Sequence, residues 1–243
     1  MPHLLTPPHV YGWQHIVYLL VFLIPAAGTL ALIKLKVKSE KTNTIIMKCV
    51  GGLLFATVAV NRISLIEFYG STLALIPNTF CGITNLLFGL WAIFGKKNSL
   101  PFHFFVYAGF WGGVVNLFYP TYLGQNESFM YLPTITGLLH HSFAFYLAIL
   151  LLMTGYVKPE LKRFYAFPVG MSFVMVYGVF LLDVSNQTIP DGAMYIFEAV
   201  VPGTFLTWYV VYPAMILASL GLLCLWEKVI CPRYILKKTQ QTA

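Results

Sequence analysis

One cysteine and two adjacent histidines lie in uncharged stretches of the chain, Cys81 within residues 68–95 and His140 and His141 within residues 128–157. A thiol that leaves water is pushed towards its neutral form, so it needs a nearby base to act as a nucleophile. Imidazole can take the thiol proton, and the resulting thiolate attacks an acyl carbonyl. We therefore predict acyl-transfer chemistry, with Cys81 as nucleophile and His141, or His140 in its place, as base.

Three asparagines accompany these residues. On one continuous helix Asn78, Cys81 and Asn85 share a face, because they are spaced i, i+3 and i+7. Asn116 lies in the next apolar stretch. Amide side chains can orient an imidazole or donate to an oxyanion, so we predict an orienting or substrate-binding role for all three. The alternative is a helix-packing seam with a proline kink at Pro77.

The thiol and the imidazoles are predicted to lie at one depth. If the third helix enters the membrane near Leu73, Cys81 lies about 8 residues down, or ~12 Å at ~1.5 Å per residue. If the fifth helix enters near Tyr131, His140 and His141 lie about 9 to 10 residues down, or ~14–15 Å. The structural alternative is a helix–helix hydrogen bond from histidine to asparagine or tyrosine, because an unpaired buried imidazole is costly.

The composition places these residues in a membrane protein. Of 243 residues, 58% are hydrophobic and 9% are charged, whereas about 25% are charged in an average soluble domain. Six uncharged stretches approach or exceed the roughly 20 residues that a spanning helix needs. A seventh span at about 45–65 has Lys48 and Arg62 near its ends, where their side chains can extend to the headgroups.

The sequence therefore predicts an all-α fold, a polytopic membrane bundle of seven transmembrane helices in a single domain, 1–243. The predicted spans are about 14–33, 45–65, 72–94, 101–119, 131–156, 164–182 and 203–226. Basic residues concentrate in alternate loops, and the opposite loops hold Arg62 as their only basic residue. By the positive-inside rule, the N-terminus is outside and the C-terminus is cytoplasmic. Omitting the span at 45–65 would break this charge pattern.

The charge and the remaining cysteines exclude several function classes. The net charge of +7 comes without a basic face or an aromatic RNA-type motif, so we expect membrane lipids and no nucleic acid as partners. The four cysteines have no CxxC pair or metal-ligand spacing, so no metal is expected. Cys49, Cys224 and Cys231 lie near cytoplasmic helix ends, and Cys231 is at most a palmitoylation candidate. No nucleotide-binding motif is present and no cofactor is expected, although coenzyme A stays open as acyl donor.

Two glycines in the fourth span have the spacing of a close helix contact. Gly109 and Gly113 form a GxxxG pair, which lets two helix backbones approach each other. We expect this pair to be structural whatever the function of the protein.

Several segments in this order resemble one known family. They are an Ile-Pro-x-x-x-Cys segment from Ile76 to Cys81, Gly109-Phe110-Trp111-Gly112 followed by Pro120, a span with His141 that ends in Gly155 and Lys158-Pro159, and Met194-Tyr195-Ile196-Phe197 with Pro202 and Thr207-Trp208-Tyr209. Over about residues 60–215 the chain resembles the YwaF-like family of integral membrane proteins.

The resemblance implies a function. The animal branch of that family includes a multispanning acyltransferase that moves a fatty acyl group onto lysophospholipids with a membrane cysteine and histidine. By position these match Cys81 and His141, with His140 as a substitute. The chain departs from the family pattern at Thr79, at Gly82 and at Ser142, which follows the histidine where the pattern has glycine.

We therefore expect an integral membrane acyltransferase or transacylase that acts on phospholipids, in a bacterial cytoplasmic membrane because the loops are short. The alternative is a carrier or binding protein for a small amphipathic solute, since Asn, His and Tyr inside a bundle also build transport sites. A third hypothesis is a scaffold in which the polar residues only join helices. The lipid head group, the acyl donor and the oligomeric state are left open.

Overall fold

The computed structural model describes residues 8–120, 122–123, 126, 128–183, 199 and 203–230. Within these ranges the chain is helical and contains no strand. The α-helices in them are α1 (Trp13–Lys36), α2 (Glu40–Tyr69), α3 (Phe80–Phe94), α4 (Leu100–Phe118), α5 (Leu132–Met153), α6 (Ala166–Asp183) and α7 (Trp208–Leu225). The predicted all-α class is confirmed.

Five helical segments in the described ranges are long and apolar enough to cross a membrane. They are Trp13–Lys36, Glu40–Tyr69, Leu132–Met153, Leu161–Leu182 and Trp208–Lys228. Such segments are consistent with a membrane protein, as the composition predicts.

The chain divides into two compact units, residues 1–157 and residues 158–243. The first unit contains α1 to α5 and every candidate site residue. The second contains α6 and α7, together with a short 3-10 turn at Leu161–Arg163 and a π-helical turn at Trp226–Ile230. In this unit the Glu227 carboxylate accepts a hydrogen bond of 2.8 Å from the Leu161 backbone N–H.

α5 is the central helix of the first unit. Of its 22 residues, 13 are buried, and it packs against both α2 and α4. By contrast, α1 has only His15, Tyr18 and Leu19 buried, and the hydroxyl groups of Tyr18 and Ser142 on α5 are hydrogen-bonded at 2.6 Å. α1 therefore lies at the edge of this unit, with most of its apolar surface uncovered.

The glycines of α4 contact α5 closely, as the GxxxG spacing predicts. A Cβ atom on Gly109 would lie 3.2 Å from the backbone oxygen of Ala144, and one on Gly113 would lie 3.1 Å from that of His141 and overlap the Cβ of Phe145. There is no room for a side chain at either glycine, so the helix backbones are nearly in contact.

A second glycine contact joins α2 and α3. A Cβ atom on Gly89 would lie 2.9 Å from the backbone oxygen of Gly51 and 2.8 Å from the backbone nitrogen of Phe55. The glycines are 38 residues apart in the sequence and have no motif spacing, so sequence analysis does not single them out.

Contacts at the helix ends bring together the lysine-containing segments at the end of α1 and between α3 and α4. The Lys34 ammonium donates to the backbone oxygen of Met153 at 2.9 Å, and Lys97 pairs with Glu40 at 2.6 Å. The end of α1, the start of α2, the α3–α4 loop and the end of α5 therefore lie at one end of the unit. The Glu40–Lys97 pair is largely exposed, and such pairs contribute little to stability.

The region predicted as one helix over 72–94 is interrupted. The chain forms a 3-10 turn at Thr72–Leu75, and α3 begins only at Phe80. The reason is Pro77, which has no N–H to donate and disfavours helical backbone at the preceding Ile76, whose φ and ψ are −72° and 121°.

The new start of α3 changes where two candidate residues lie. Thr79 caps the helix, because its hydroxyl oxygen accepts the backbone N–H of Gly82 at 2.9 Å. Cys81 is therefore in the first turn of α3 rather than in the middle of a span. Asn78 precedes the helix and does not share its face with Cys81 and Asn85.

The close contact at Gly113 yields a stability prediction. Gly113→Ala should lower the free energy of unfolding by ~1–3 kcal/mol, because the added methyl overlaps Phe145. Gly52→Ala in α2 is the matched control, since no described atom lies within 4 Å of its Cβ position; it should be neutral or stabilising by up to ~1 kcal/mol. Unfolding midpoints of the purified protein in detergent measure both, and equal midpoints would contradict the packing described for α4.

Candidate active site

Polar side chains from α2, α3, α4, α5 and the segments before α3 and after α4 meet inside the first unit. All of these side chains are buried or half-buried. Each one has a hydrogen bond, a ring contact or an electrostatic interaction with another side chain of the group. We call this group the polar cluster; it consists of Asn61, Arg62, Asn78, Cys81, Asn85, Asn116, Tyr122, His140 and His141.

Cys81 has a free thiol that faces α4. Its Sγ atom lies 4.0 Å from Nδ2 of Asn116, a long hydrogen bond from amide to sulfur, and a Cβ atom on Gly112 would lie 3.5 Å from it. The same Asn116 nitrogen donates to the backbone oxygen of Gly112 at 3.0 Å. Both Cys81 and Asn116 are half-buried, and the thiol lies between α3 and α4.

His140 forms a helix–helix hydrogen bond. Its Nδ1 lies 2.9 Å from Nδ2 of Asn85, and both side chains are buried. An amide nitrogen can only donate, so with this geometry Nδ1 accepts and a neutral ring carries its proton on Nε2. For His140 the structure thus shows the bond to asparagine that the structural alternative predicts.

His141 has a different environment. Its ring stacks against Tyr122, with centroids 6.4 Å apart, and lies 4.2 Å from the ring of His140. The ring also lies near enough to the Gly112 backbone for a polar interaction with it. It is 5% exposed, yet its Nδ1 atom has no hydrogen-bond partner among the described residues. Buried polar atoms are usually paired, which makes this nitrogen an exception among the described residues.

The thiol and the His141 ring therefore meet the same residue, Gly112. The described residues contain no hydrogen bond between Cys81 and either imidazole, and the polar contact of the thiol is with Asn116.

Arg62 belongs to the cluster, although the sequence predicts that it reaches the headgroups. It is 8% exposed, and its Nη1 and Nη2 donate to the side-chain oxygens of Asn78 and Asn61, each at 3.0 Å. One signal could have revealed this position: the apolar pattern continues beyond Arg62, and α2 extends to Tyr69. Arg62 thus lies about two turns before the helix end rather than at it.

Asn61 connects Arg62 to α5. Its Nδ2 donates to the backbone oxygen of Pro133 and to the hydroxyl of Thr136, both at 3.0 Å. One asparagine thereby joins α2 to the first turn of α5 and holds the guanidinium through its oxygen. Nothing in the local sequence distinguishes this residue from an asparagine at a helix end.

The structure brings the six predicted site residues into one unit, in three groups. Asn85 binds His140, whose ring lies beside that of His141; Asn116 binds Cys81; and Asn78 binds Arg62. Their predicted roles in catalysis and substrate binding stay predictions. Within the described ranges, His, Cys, Asp and Glu side chains do not gather in threes as a metal site.

Fold and site define a helical protein of membrane-type composition with a buried polar centre. No protein-family model matches the chain, and no curated protein and no solved structure match it either.

The Asn85–His140 bond yields the second prediction. In a double-mutant cycle with Asn85→Ala and His140→Ala, the two residues should be coupled by ~0.6–1.7 kcal/mol, the range found for buried hydrogen bonds between membrane helices. The measurement is the unfolding free energy in detergent of the wild type, both single variants and the double variant. As control, Asn116→Ala combined with His140→Ala should show additive losses, because these side chains are not bonded. Additivity in the first cycle would contradict the bond.

Proposed function

We propose that this protein is an integral membrane acyltransferase or transacylase that acts on phospholipids, with Cys81 as nucleophile and His141 as base. The observation that supports it best is that the Cys81 sulfur and the His141 ring border the same glycine, Gly112, while Nδ1 of His141 is buried without a partner among the described residues. A thiol and an imidazole with one unpaired nitrogen, both beside the same residue, are the minimum set for thioester chemistry.

In the first half-reaction, an imidazole nitrogen of His141 takes the thiol proton. The Cys81 sulfur attacks the ester carbonyl carbon of a phospholipid, a C–S bond forms, and the C–O ester bond breaks. The departing glycerol oxygen takes the proton from the imidazolium and leaves as the hydroxyl of a lysophospholipid. The acyl chain stays on Cys81 as a thioester, and no oxidant, reductant or metal is needed.

In the second half-reaction, the hydroxyl of a different lysophospholipid gives its proton to His141 and attacks the thioester carbonyl. The C–S bond breaks, a new ester forms, and the proton returns to sulfur. Asn116 is placed to orient the sulfur, since its amide already contacts it. Asn85 keeps His140 in place beside His141, so His140 supports the base rather than replacing it.

The proposal includes seven transmembrane helices, an outer N-terminus, a cytoplasmic C-terminus and membership of the YwaF-like family, in a bacterial cytoplasmic membrane. In its favour, the ends of α1 and α5 and the starts of α2 and α4 meet where the first lysine clusters lie. The polar cluster lies towards the opposite end of the first unit, which is the outer end in the proposed orientation.

The third prediction tests the thioester. Purified protein incubated with phospholipid that carries a labelled acyl chain should acquire a hydroxylamine-sensitive label on Cys81, located by peptide mapping. Cys81→Ser should abolish that label. The matched control is Cys224→Ser, which removes a half-buried cysteine of the second unit and should leave the label unchanged. Label on another cysteine, or none in folded protein, would reject Cys81 as nucleophile.

The fourth prediction separates the two histidines. His141→Ala should slow acylation of Cys81 by ~10²–10⁴-fold, the usual contribution of a general base. His140→Ala should lower the unfolding midpoint and slow acylation less, because His140 is paired with Asn85. The rate of label incorporation, measured per folded molecule, decides between them. A larger rate loss in His140→Ala would assign the base to His140.

A second candidate is a carrier for a small amphipathic solute. One observation favours it: residues 76–79 are not helical although they precede the apolar α3, and interrupted helices often form the binding sites of transporters. Solute uptake by reconstituted vesicles that persists in Cys81→Ser, without acyl label on the wild type, would support the carrier over the enzyme.

A further inference from the structure

Tyr122 lies in the turn after α4, and its ring contacts α5. A Cβ atom on Gly137 would lie 3.0 Å from Cε2 and 3.5 Å from Oη of Tyr122. Gly137 precedes His141 by four residues, so the two lie on one face of α5. The ring of Tyr122 also stacks on that of His141. Tyr122 is therefore held beside the candidate base.

The Tyr122 hydroxyl is buried and has no hydrogen-bond partner among the described residues. The hydroxyl of Tyr18 lies within electrostatic range of it but is bonded to Ser142. Nδ1 of His141 is a second buried atom without a partner in the described part of the chain. Buried polar atoms are usually paired, so two exceptions in neighbouring rings need an explanation.

The Cys81 thiol lies near this pair of rings. It is within electrostatic range of Tyr122, and it borders Gly112, as the His141 ring does. A phenol, an imidazole and a thiol thus come together from the turn after α4, from α5 and from α3.

The asparagine that contacts the sulfur is already occupied. Nδ2 of Asn116 donates to the backbone oxygen of Gly112 at 3.0 Å, and its second contact is the Cys81 sulfur itself. An amide nitrogen carries two hydrogens, so both are used. Asn116 can orient the sulfur, but a different group has to donate to the oxygen of a reacting carbonyl.

We infer that Tyr122 is a further catalytic residue, whose hydroxyl donates a hydrogen bond to the carbonyl oxygen of the ester that Cys81 attacks. The inference rests on the proposed function of Cys81 and His141. A phenol is protonated at neutral pH and can donate without losing its proton. A donor that is already in place where negative charge develops stabilises the transition state.

The step is balanced without a further reactant. As the sulfur forms its bond to the carbonyl carbon, the thiol proton moves to His141 and one C=O electron pair moves onto the oxygen. The Tyr122 O–H group binds this oxyanion and keeps its own proton. When the C=O bond re-forms, the C–O ester bond breaks, and the glycerol oxygen leaves with the proton from the imidazolium.

The two unpaired atoms match a carboxylic ester. The carbonyl oxygen of an ester only accepts hydrogen bonds, which suits the phenol. The alcohol oxygen needs a proton when it leaves, which the imidazole can supply. Tyr122 and His141 would thus serve the two oxygens of one ester group.

The first test removes the hydroxyl and keeps the ring. In Tyr122→Phe the rate of Cys81 acylation by labelled phospholipid should fall by ~10²–10³-fold, the usual loss for one oxyanion donor. The unfolding midpoint in detergent should stay the same or rise, because the hydroxyl has no partner to lose among the described residues. A lower midpoint with an unchanged acylation rate would assign Tyr122 a structural role and overturn the inference.

The matched control is Tyr146→Phe on α5. It removes a hydroxyl that donates to Thr29 at 3.0 Å, and it should leave the acylation rate unchanged. A rate loss in Tyr146→Phe as large as that in Tyr122→Phe would overturn the specific role of Tyr122.

The second test separates this inference from the proposed function. The probe is a phosphatidylglycerol analogue in which a difluoromethylene ketone replaces one ester; the corresponding ether, which has no carbonyl, is the comparison ligand. The Cys81 sulfur should add to the ketone carbon, with its proton on His141 and an oxyanion on the adduct, detected by fluorine NMR. Tyr122→Phe should bind the ketone about 10-fold or more weakly, since a hydrogen bond to a charged group contributes roughly that factor, and should bind the ether as the wild type does.

The outcomes differ for the two proposals. An adduct that forms equally well in the wild type and in folded Tyr122→Phe would keep Cys81 as nucleophile and reject Tyr122 as donor. Absence of any adduct in the wild type would reject the thiol chemistry and the role of Tyr122 with it. If Tyr122→Phe does not fold, 3-fluorotyrosine introduced in place of Tyr122 decides: its hydroxyl is a stronger donor, so the ketone should bind more tightly, and unchanged binding would overturn the inference.

Discussion

A polar side chain inside an apolar helix bundle must find its hydrogen-bond partners within the protein, because lipid offers none. In the first unit asparagines supply several of these partners. Asn61 joins α2 to α5, Asn85 joins α3 to α5, and Asn78 joins the segment before α3 to α2 through Arg62. These bonds fix three elements around one place, where the candidate nucleophile and base also lie.

The glycine contacts join other pairs of helices than the asparagine bonds do. Gly51 and Gly89 let α2 and α3 approach each other, and Gly109 and Gly113 do the same for α4 and α5. Glycine contacts between two helix pairs and amide hydrogen bonds between two others therefore hold α2 to α5 together.

The sequence predicts the all-α class, because it contains long apolar stretches bounded by charge or by turn residues. It also predicts that Cys81 and the histidines lie at comparable positions, which follows from counting along helices. Three features escape it. The start of α3 depends on Pro77 and on the cap at Thr79. The burial of Arg62 depends on Asn78, 16 residues away. Which histidine binds Asn85 depends on the rotation of α5.

The interruption at Pro77 makes α3 short. Its 15 residues extend only ~22 Å, less than the ~30 Å hydrocarbon layer of a typical bilayer. A helix too short for its surroundings draws the membrane surface towards it. In the proposed arrangement, in which α3 crosses the membrane, the boundary between headgroups and acyl chains would lie deeper around the first turn of α3 than elsewhere around the protein. Lipid esters, which sit at that boundary, would come to the level of the Cys81 thiol without leaving the bilayer.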